Sequence, residues 1–213
     1  MKKLVIFDLD GTLTNNINLS EIIYKKISDK YNLKELSTEE LRQLKSFTSI
    51  KQILGIGIPL YSIPKLYKES REIASEYVQE CELLPGMKEL LFKLIDNDIK
   101  LAIVSSNSIP NINEFLFGNE INIFSFIEGK ATMKGKKRII KKMLKKYGYN
   151  SDDAVYIGDE VRDVLACKAI GVDVIAVDWG FETTAVLESS QPNFIAKSVE
   201  ELSKLLLDLP ISL

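Results

Sequence analysis

The run Val5-Ile6-Phe7-Asp8-Leu9-Asp10-Gly11-Thr12 constrains the fold of this chain more than any other stretch. Leu4 to Phe7 are all apolar and read as a buried strand, which two carboxylates and a glycine end abruptly. Strand alternation puts Asp8 and Asp10 on one side and Leu9 on the other. Two acids at the end of a buried parallel strand are costly to desolvate unless a cation or a proton compensates them. That end of a strand is also where open α/β sheets bind ligands. Taken alone, Asp-x-Asp-Gly is equally compatible with an acidic turn and with a metal site.

Further apolar runs set the architecture. Lys3–Phe7, Lys100–Val104, Ile123–Ile127, Ala154–Ile157, Val174–Val177 and Asn193–Ala196 all read as strands. Most are short and rich in Val, Ile and Ala, as a parallel sheet covered on both faces requires. Helical patterns separate them. Met87–Ile95 follows Pro85-Gly86, and Lys137–Tyr147 puts Ile139, Ile140, Met143, Leu144 and Tyr147 on one face. Ser198-x-x-Glu201 is a capping box opening a last helix that ends near Leu207. The alternation predicts an α/β fold, a doubly wound parallel sheet with a Rossmann-like core. Residues 14 to about 84 interrupt it with helical patterns only, at Ser20–Tyr31, Ser37–Lys45 and Pro64–Gln79. The expected organisation is therefore a core of residues 1–14 and 85–213, with a small all-helical insertion at 15–84 after the first strand.

Composition excludes several classes of function. A net charge of -2 provides no basic field for nucleic acid or an anionic membrane. No apolar run approaches the length of a membrane span, and the expected location is cytoplasmic. The basic run from Lys134 to Lys146 carries an apolar stripe at helical spacing and reads as a solvated helix face. Cys81 and Cys167 are widely spaced, and Cys167 sits among small residues as a buried thiol would. The chain has 0 histidines, which excludes Ser-His-Asp and Cys-His nucleophilic sites and His-ligated zinc. Proton transfer must fall mainly to carboxylates, lysine or tyrosine.

Three more polar groups lie after or between the later strands. Ser105-Ser106-Asn107 follows the second, and Gly158-Asp159-Glu160-Val161-Arg162-Asp163 follows the fourth. Lys134, Lys136 and Lys137 come just before a helix. Serines cap helices, acids favour helix N-termini and lysines are solvated, so each alone is ordinary. Together they bring carboxylates, hydroxyls and an ammonium to one edge of the sheet, a set suited to Mg²⁺ and phosphate.

With these residues in this order, the chain resembles the haloacid dehalogenase-like phosphohydrolases, in the branch with a helical cap after the first strand. The resemblance rests on Asp8-Leu9-Asp10-Gly11-Thr12, on Ser105, on a lysine before a helix and on Gly158-Asp159-x-x-x-Asp163, and it spans essentially the full length. Pro85-Gly86 and Trp179-Gly180-Phe181 further resemble the phosphoglycolate phosphatase-like group. The resemblance implies that Asp8 is the nucleophile and Asp10 the general acid and base. It implies Mg²⁺ held by Asp8, the Asp10 carbonyl and Asp159, with Asp163 completing or orienting that shell. Ser105, with Ser106 and Asn107 beside it, would bind phosphate. Lys136 would neutralise charge near Asp8, with Lys134 as the alternative, and Glu160 reads equally as a metal neighbour and as a surface acid. The implied partner is a small phosphate ester and the implied assembly a monomer or homodimer.

Within such a family, Asp10 favours phosphate ester chemistry over dehalogenation, because an alkoxide leaving group needs a proton and a halide does not. A phosphomutase with the same catalytic residues is the alternative. A phospho-accepting receiver domain fits less well, because its acceptor would lie after the third strand and Asn122–Glu128 ends without an aspartate. Arg42, Lys45, Ser49 and Lys51 are the polar candidates for substrate selection in the insertion.

Overall fold

Leu4–Phe7 (β1) is wholly buried and forms the middle of a sheet in which every strand is parallel to its neighbours. The structure, a computed structural model, describes residues 2–14, 17–37, 59–77, 81–131 and 135–207. It divides into two compact units, Met1–Asn15 with Glu82–Leu213, and Asn16–Cys81.

The larger unit continues from β1 through Met87–Asp96 (α3), Lys100–Val104 (β2), Ile109–Gly118 (α4) and Phe126–Glu128 (β3). Lys136–Tyr147 (α5), Ala154–Gly158 (β4), Val161–Lys168 (α6) and Asp173–Val177 (β5) follow. Thr184–Ser189 (α7), Phe194–Ala196 (β6) and Val199–Leu207 (α8) complete it. The strand order is β3-β2-β1-β4-β5-β6. The chain builds outward from β1 through β2 to β3, then crosses back and builds outward from β4. The strand order thus reverses between β1 and β4, where ligand-binding crevices form in such sheets.

Both faces of the sheet are covered, as the continuous apolar strands anticipate. Leu4, Ile6, Ala102, Val104, Tyr156, Val174 and Ala176 share one core with Ile140 and Met143 of α5, Val164 and Cys167 of α6 and Leu187 of α7. Val5, Phe7, Leu101, Ile103, Val155 and Ile157 are also fully buried, and α3 packs against β2 and α8. Ser198 accepts from Glu201 N at 3.1 Å, as the capping box predicts, while Glu201 reaches Lys197 N at 2.8 Å. Cys167 is buried and unbridged.

One strand differs from expectation. The third begins at Phe126 and not at Ile123. The preceding apolar residues fill space without joining the ladder, and the Phe124 ring meets Phe7 edge-on at 6.4 Å. Hydrophobicity alone could not separate these roles.

In the smaller unit, Ile17–Tyr31 (α1) and Ile63–Glu76 (α2) pack together. Tyr31 donates to Glu69 Oε1 at 2.9 Å, and Lys26 pairs with Glu76 at 3.0 Å. The helix expected at Ser37–Lys45, and with it Arg42, Lys45, Ser49 and Lys51, lies outside the described residues beyond Ser37. The chain leaves and re-enters the larger unit at adjacent points, because Leu84 N donates to Leu13 O at 3.0 Å. Among the described residues no helix is long and apolar enough to cross a membrane.

Candidate active site

Asp8 follows β1 directly, and its N–H still donates to Ile157 O of β4 at 2.9 Å. Sheet pairing therefore fixes the backbone of this acid at the crevice. Its carboxylate accepts from Leu9 N at 2.8 Å through Oδ1 and from Lys136 Nζ at 2.7 Å through Oδ2. Lys136 is the first residue of α5 and only 1% exposed, and it also donates to Asp163 Oδ1 at 2.5 Å. Burial works to lower the pKa of Lys136, but the Asp163 and Asp8 charges outweigh it and hold the ammonium above its ordinary range. Lys136 is thus a fixed cation shared by two acids. Lys134 lies outside the described residues.

β4 delivers the second group of acids. Asp159 is fully buried, with Oδ1 accepting from Thr12 Oγ1 at 3.0 Å and Oδ2 from Phe181 N at 2.7 Å. The backbone closes tightly around it. A Cβ on Gly11, whose φ is +79°, would come within 2.3 Å of Asp159 Oδ2, and one on Gly180 within 2.2 Å of its Cβ. Asp163, in the first turn of α6, is fully buried, and its Oδ2 has no hydrogen-bond partner. Glu160 is half-buried and held by the Arg162 Nε–H.

The third group comes from the loop after β2. Ser105 is fully buried, and its Oγ accepts from Asn107 N at 3.0 Å, which leaves the O–H to donate elsewhere. Asn107 Nδ2 donates to Asp10 Oδ2 over a long 3.4 Å, so the Asp10 carboxylate is turned toward this loop. Ser106 is half-buried beside them.

The donor chemistry fits a hard divalent cation. Carboxylate oxygens of Asp8, Glu160 and Asp163 lie within 4.8 Å of one another. All are oxygen donors, the kind Mg²⁺ takes, and the buried Oδ2 of Asp163 is an acceptor without a hydrogen-bond partner. Burial pushes Asp163 up to about 6 against the Lys136 charge, and Glu160 up to about 7 against Arg162. Burial also raises Asp159 well above the carboxylate range, with the Asp8 and Glu160 charges adding to it. Three acids raised together mark a cluster short of positive charge. Of the metal set expected from the sequence, Asp8 and Asp163 belong to this grouping. Asp159 stands beside it with its oxygens on Thr12 and Phe181, and Asp10 contacts the Ser105–Asn107 loop.

Residues 5–177 match the family model of the haloacid dehalogenase-like hydrolases. The chain belongs to this family. Among curated proteins, this haloacid dehalogenase-like hydrolase is similar to a phosphoglycolate phosphatase of Synechococcus elongatus. The two are 26% identical over 199 residues, covering 93% of this chain and 94% of that protein. A phosphoglycolate phosphatase of Vibrio cholerae is 22% identical, covering 96% and 97% of the respective chains. Among solved structures, a haloacid dehalogenase-like hydrolase of Streptococcus pneumoniae matches with a TM-score of 0.81 at 21% identity, over 98% and 99% of the two chains. That match bears out the doubly wound α/β fold.

Two features of this haloacid dehalogenase-like hydrolase needed the structure: the sequence left Glu160 open between a metal neighbour and a surface acid, and it carried no signal for Glu182. Glu160 lies in the oxygen cluster with Asp8 and Asp163, while the Asp159 oxygens accept from Thr12 and Phe181. Glu182, 7% exposed, accepts from Val161 N at 2.5 Å, a contact between positions far apart in the chain.

Proposed function

We propose that this hydrolase is a Mg²⁺-dependent phosphatase of small phosphomonoesters, acting through an aspartyl phosphate, with phosphoglycolate the first substrate to test. The observation that carries the reading is the buried Asp8 carboxylate, tied to Lys136 and within cation-binding distance of Glu160 and Asp163. The names of the curated relatives support phosphoglycolate.

An Asp8 oxygen attacks phosphorus as the bond from phosphorus to the ester oxygen breaks. Asp10, in its protonated form, gives its proton to the departing alkoxide. Asp10 then takes a proton from water as the water oxygen attacks phosphorus and the bond to Asp8 breaks, releasing phosphate and restoring the carboxylate. Ser105 donates its O–H to a phosphoryl oxygen, and Lys136 offsets the negative charge around Asp8. Asp8, Glu160 and Asp163 would hold Mg²⁺, joined by Asp159 and the Asp10 carbonyl as the family resemblance implies, and the cation would offset the charge of the phosphoryl oxygens. The helical insertion serves as a cap that selects small substrates, and the site works in a monomer or homodimer without nucleic acid or membrane.

Chelation with EDTA should abolish phosphate release from phosphoglycolate and from an aryl phosphate, and added Mg²⁺ should restore both. Full turnover in chelator would eliminate the metal. Product analysis separates the alternatives, since a mutase would return an isomeric sugar phosphate and no free phosphate.

Asp10→Asn should slow alkyl phosphates far more than aryl phosphates, whose leaving groups depart without a proton. A difference of about 10²–10⁴ between the two classes is the scale of general acid catalysis. Equal losses on both would remove Asp10 from that role.

A further inference from the structure

The four residues after Asp178 touch both acid-bearing loops in turn. Trp179 Nε1 donates to Thr12 O at 3.2 Å, on the loop that carries Asp8 and Asp10. Gly180 lies against Asp159 so closely that a Cβ there would come within 2.2 Å of the Asp159 Cβ. Phe181 N donates to Asp159 Oδ2 at 2.7 Å. Glu182 then accepts from Val161 N, the first residue of α6.

That last contact gives the first N–H of the helix an acceptor that the helix cannot supply itself. Glu160 occupies the N-cap position of α6 but makes no side-chain cap, and its carboxylate is turned to Arg162 instead. The first N–H groups of a helix need acceptors from outside it. Here a carboxylate from beyond β5 supplies one, at the end of the helix that carries Glu160 and Asp163. Such a negative group also suits the positive end of the helix dipole.

We infer that Glu182 is a positioning residue for the cation site, fixing the start of α6 so that Glu160 and Asp163 face Asp8. The inference rests on the metal-dependent reading above and extends it to a residue that touches neither substrate nor cation. Its effect is expected in cation affinity, because outer contacts that orient ligands typically change metal affinity about 10–100-fold.

Trp179 is the chain's single tryptophan, so its fluorescence reports on this loop without labelling. The full-length protein, stripped of metal, should be titrated with Mg²⁺ while Trp179 emission and binding heat are recorded. Glu182→Gln keeps an acceptor at the same reach and should hold Mg²⁺ affinity within about threefold of wild type. Glu182→Ala removes the acceptor, and Glu182→Asp keeps the charge but withdraws it by one methylene. Both should weaken Mg²⁺ about 10–100-fold while the metal-free melting temperatures stay close to wild type. If the alanine variant does not fold, the comparison of glutamine with aspartate decides alone. Wild-type affinity in the aspartate variant would overturn the inference, as would equal weakening by glutamine and aspartate, since an acceptor held at the same reach would then fail to preserve affinity. Failure of the wild-type protein to bind Mg²⁺ would instead overturn the metal-dependent reading itself, and the role of Glu182 with it.

Discussion

Asp8→Asn should fold normally and lose about four powers of ten in turnover, equivalent to about 5 kcal/mol of transition-state stabilisation. An amide is a poor nucleophile toward phosphorus, and every later step depends on the covalent bond it fails to form. The fold should tolerate the change because an amide oxygen can still accept from Leu9 N, and Lys136 keeps Asp163 as its partner. The variant also removes one charge from a cluster with several raised carboxylates, so its metal-free form should melt no lower than wild type. Initial rates of phosphate release from phosphoglycolate and an aryl phosphate test the first half, and thermal melts the second. Turnover within tenfold of wild type would mean that another group attacks phosphorus.

Lys136→Met should be the most damaging substitution for stability. Methionine matches the length of the lysine stem but leaves Asp8 and Asp163 buried without their shared cation. Breaking a buried ion pair by removing one partner typically costs about 3–5 kcal/mol. For a chain of this size that corresponds to a fall in melting temperature of about 6–20 °C. The loss should depend on pH. Burial already raises Asp163 to about 6, so folded metal-free protein holds more protons than unfolded protein between an ordinary carboxylate pKa and that value. Stability therefore falls as pH rises through this window, and without Lys136 the window should widen upward. Thermal melts of metal-free wild type and variant from pH 5 to pH 8 should diverge with rising pH. Parallel curves would show that Lys136 does not compensate these acids.

Much of this could be read directly from the residues, for reasons that differ by element. The buried strands β1, β2 and β4 are continuous apolar runs ended by polar residues, so pattern alone locates them within a residue or so. The family followed from the order of its acidic signatures, and the match over residues 5–177 bears it out. The edge strand β3 was harder, because Ile123 and Phe124 are as apolar as a strand but pack as loop residues. The contacts that orient Asp159 and Glu160 were not legible. Asp159 turns to Thr12 and Phe181, and Glu160 turns to Arg162 and the oxygen cluster, through contacts formed only when distant loops close. Glu182 is the extreme case, an exposed-looking glutamate in sequence that becomes a buried acceptor for a helix formed earlier in the chain.

The position of β1 at the middle of the sheet has a consequence for biosynthesis. Leu4 pairs with Lys100 on one side and with Ala154 on the other. Both neighbours lie later in the chain, so β1 lacks the second of them until Ala154 has been made. At typical rates of synthesis that delay is roughly 8–30 s. Throughout it, Leu-Val-Ile-Phe is an apolar segment with at least one open edge, the kind that pairs with other chains when left exposed. The helices α1 and α2 pack on each other within their own compact unit, both precede Ala154 in the chain, and they can form while β1 waits. Aggregation of this protein should accordingly be most sensitive to conditions during synthesis, before the first strand acquires both of its partners.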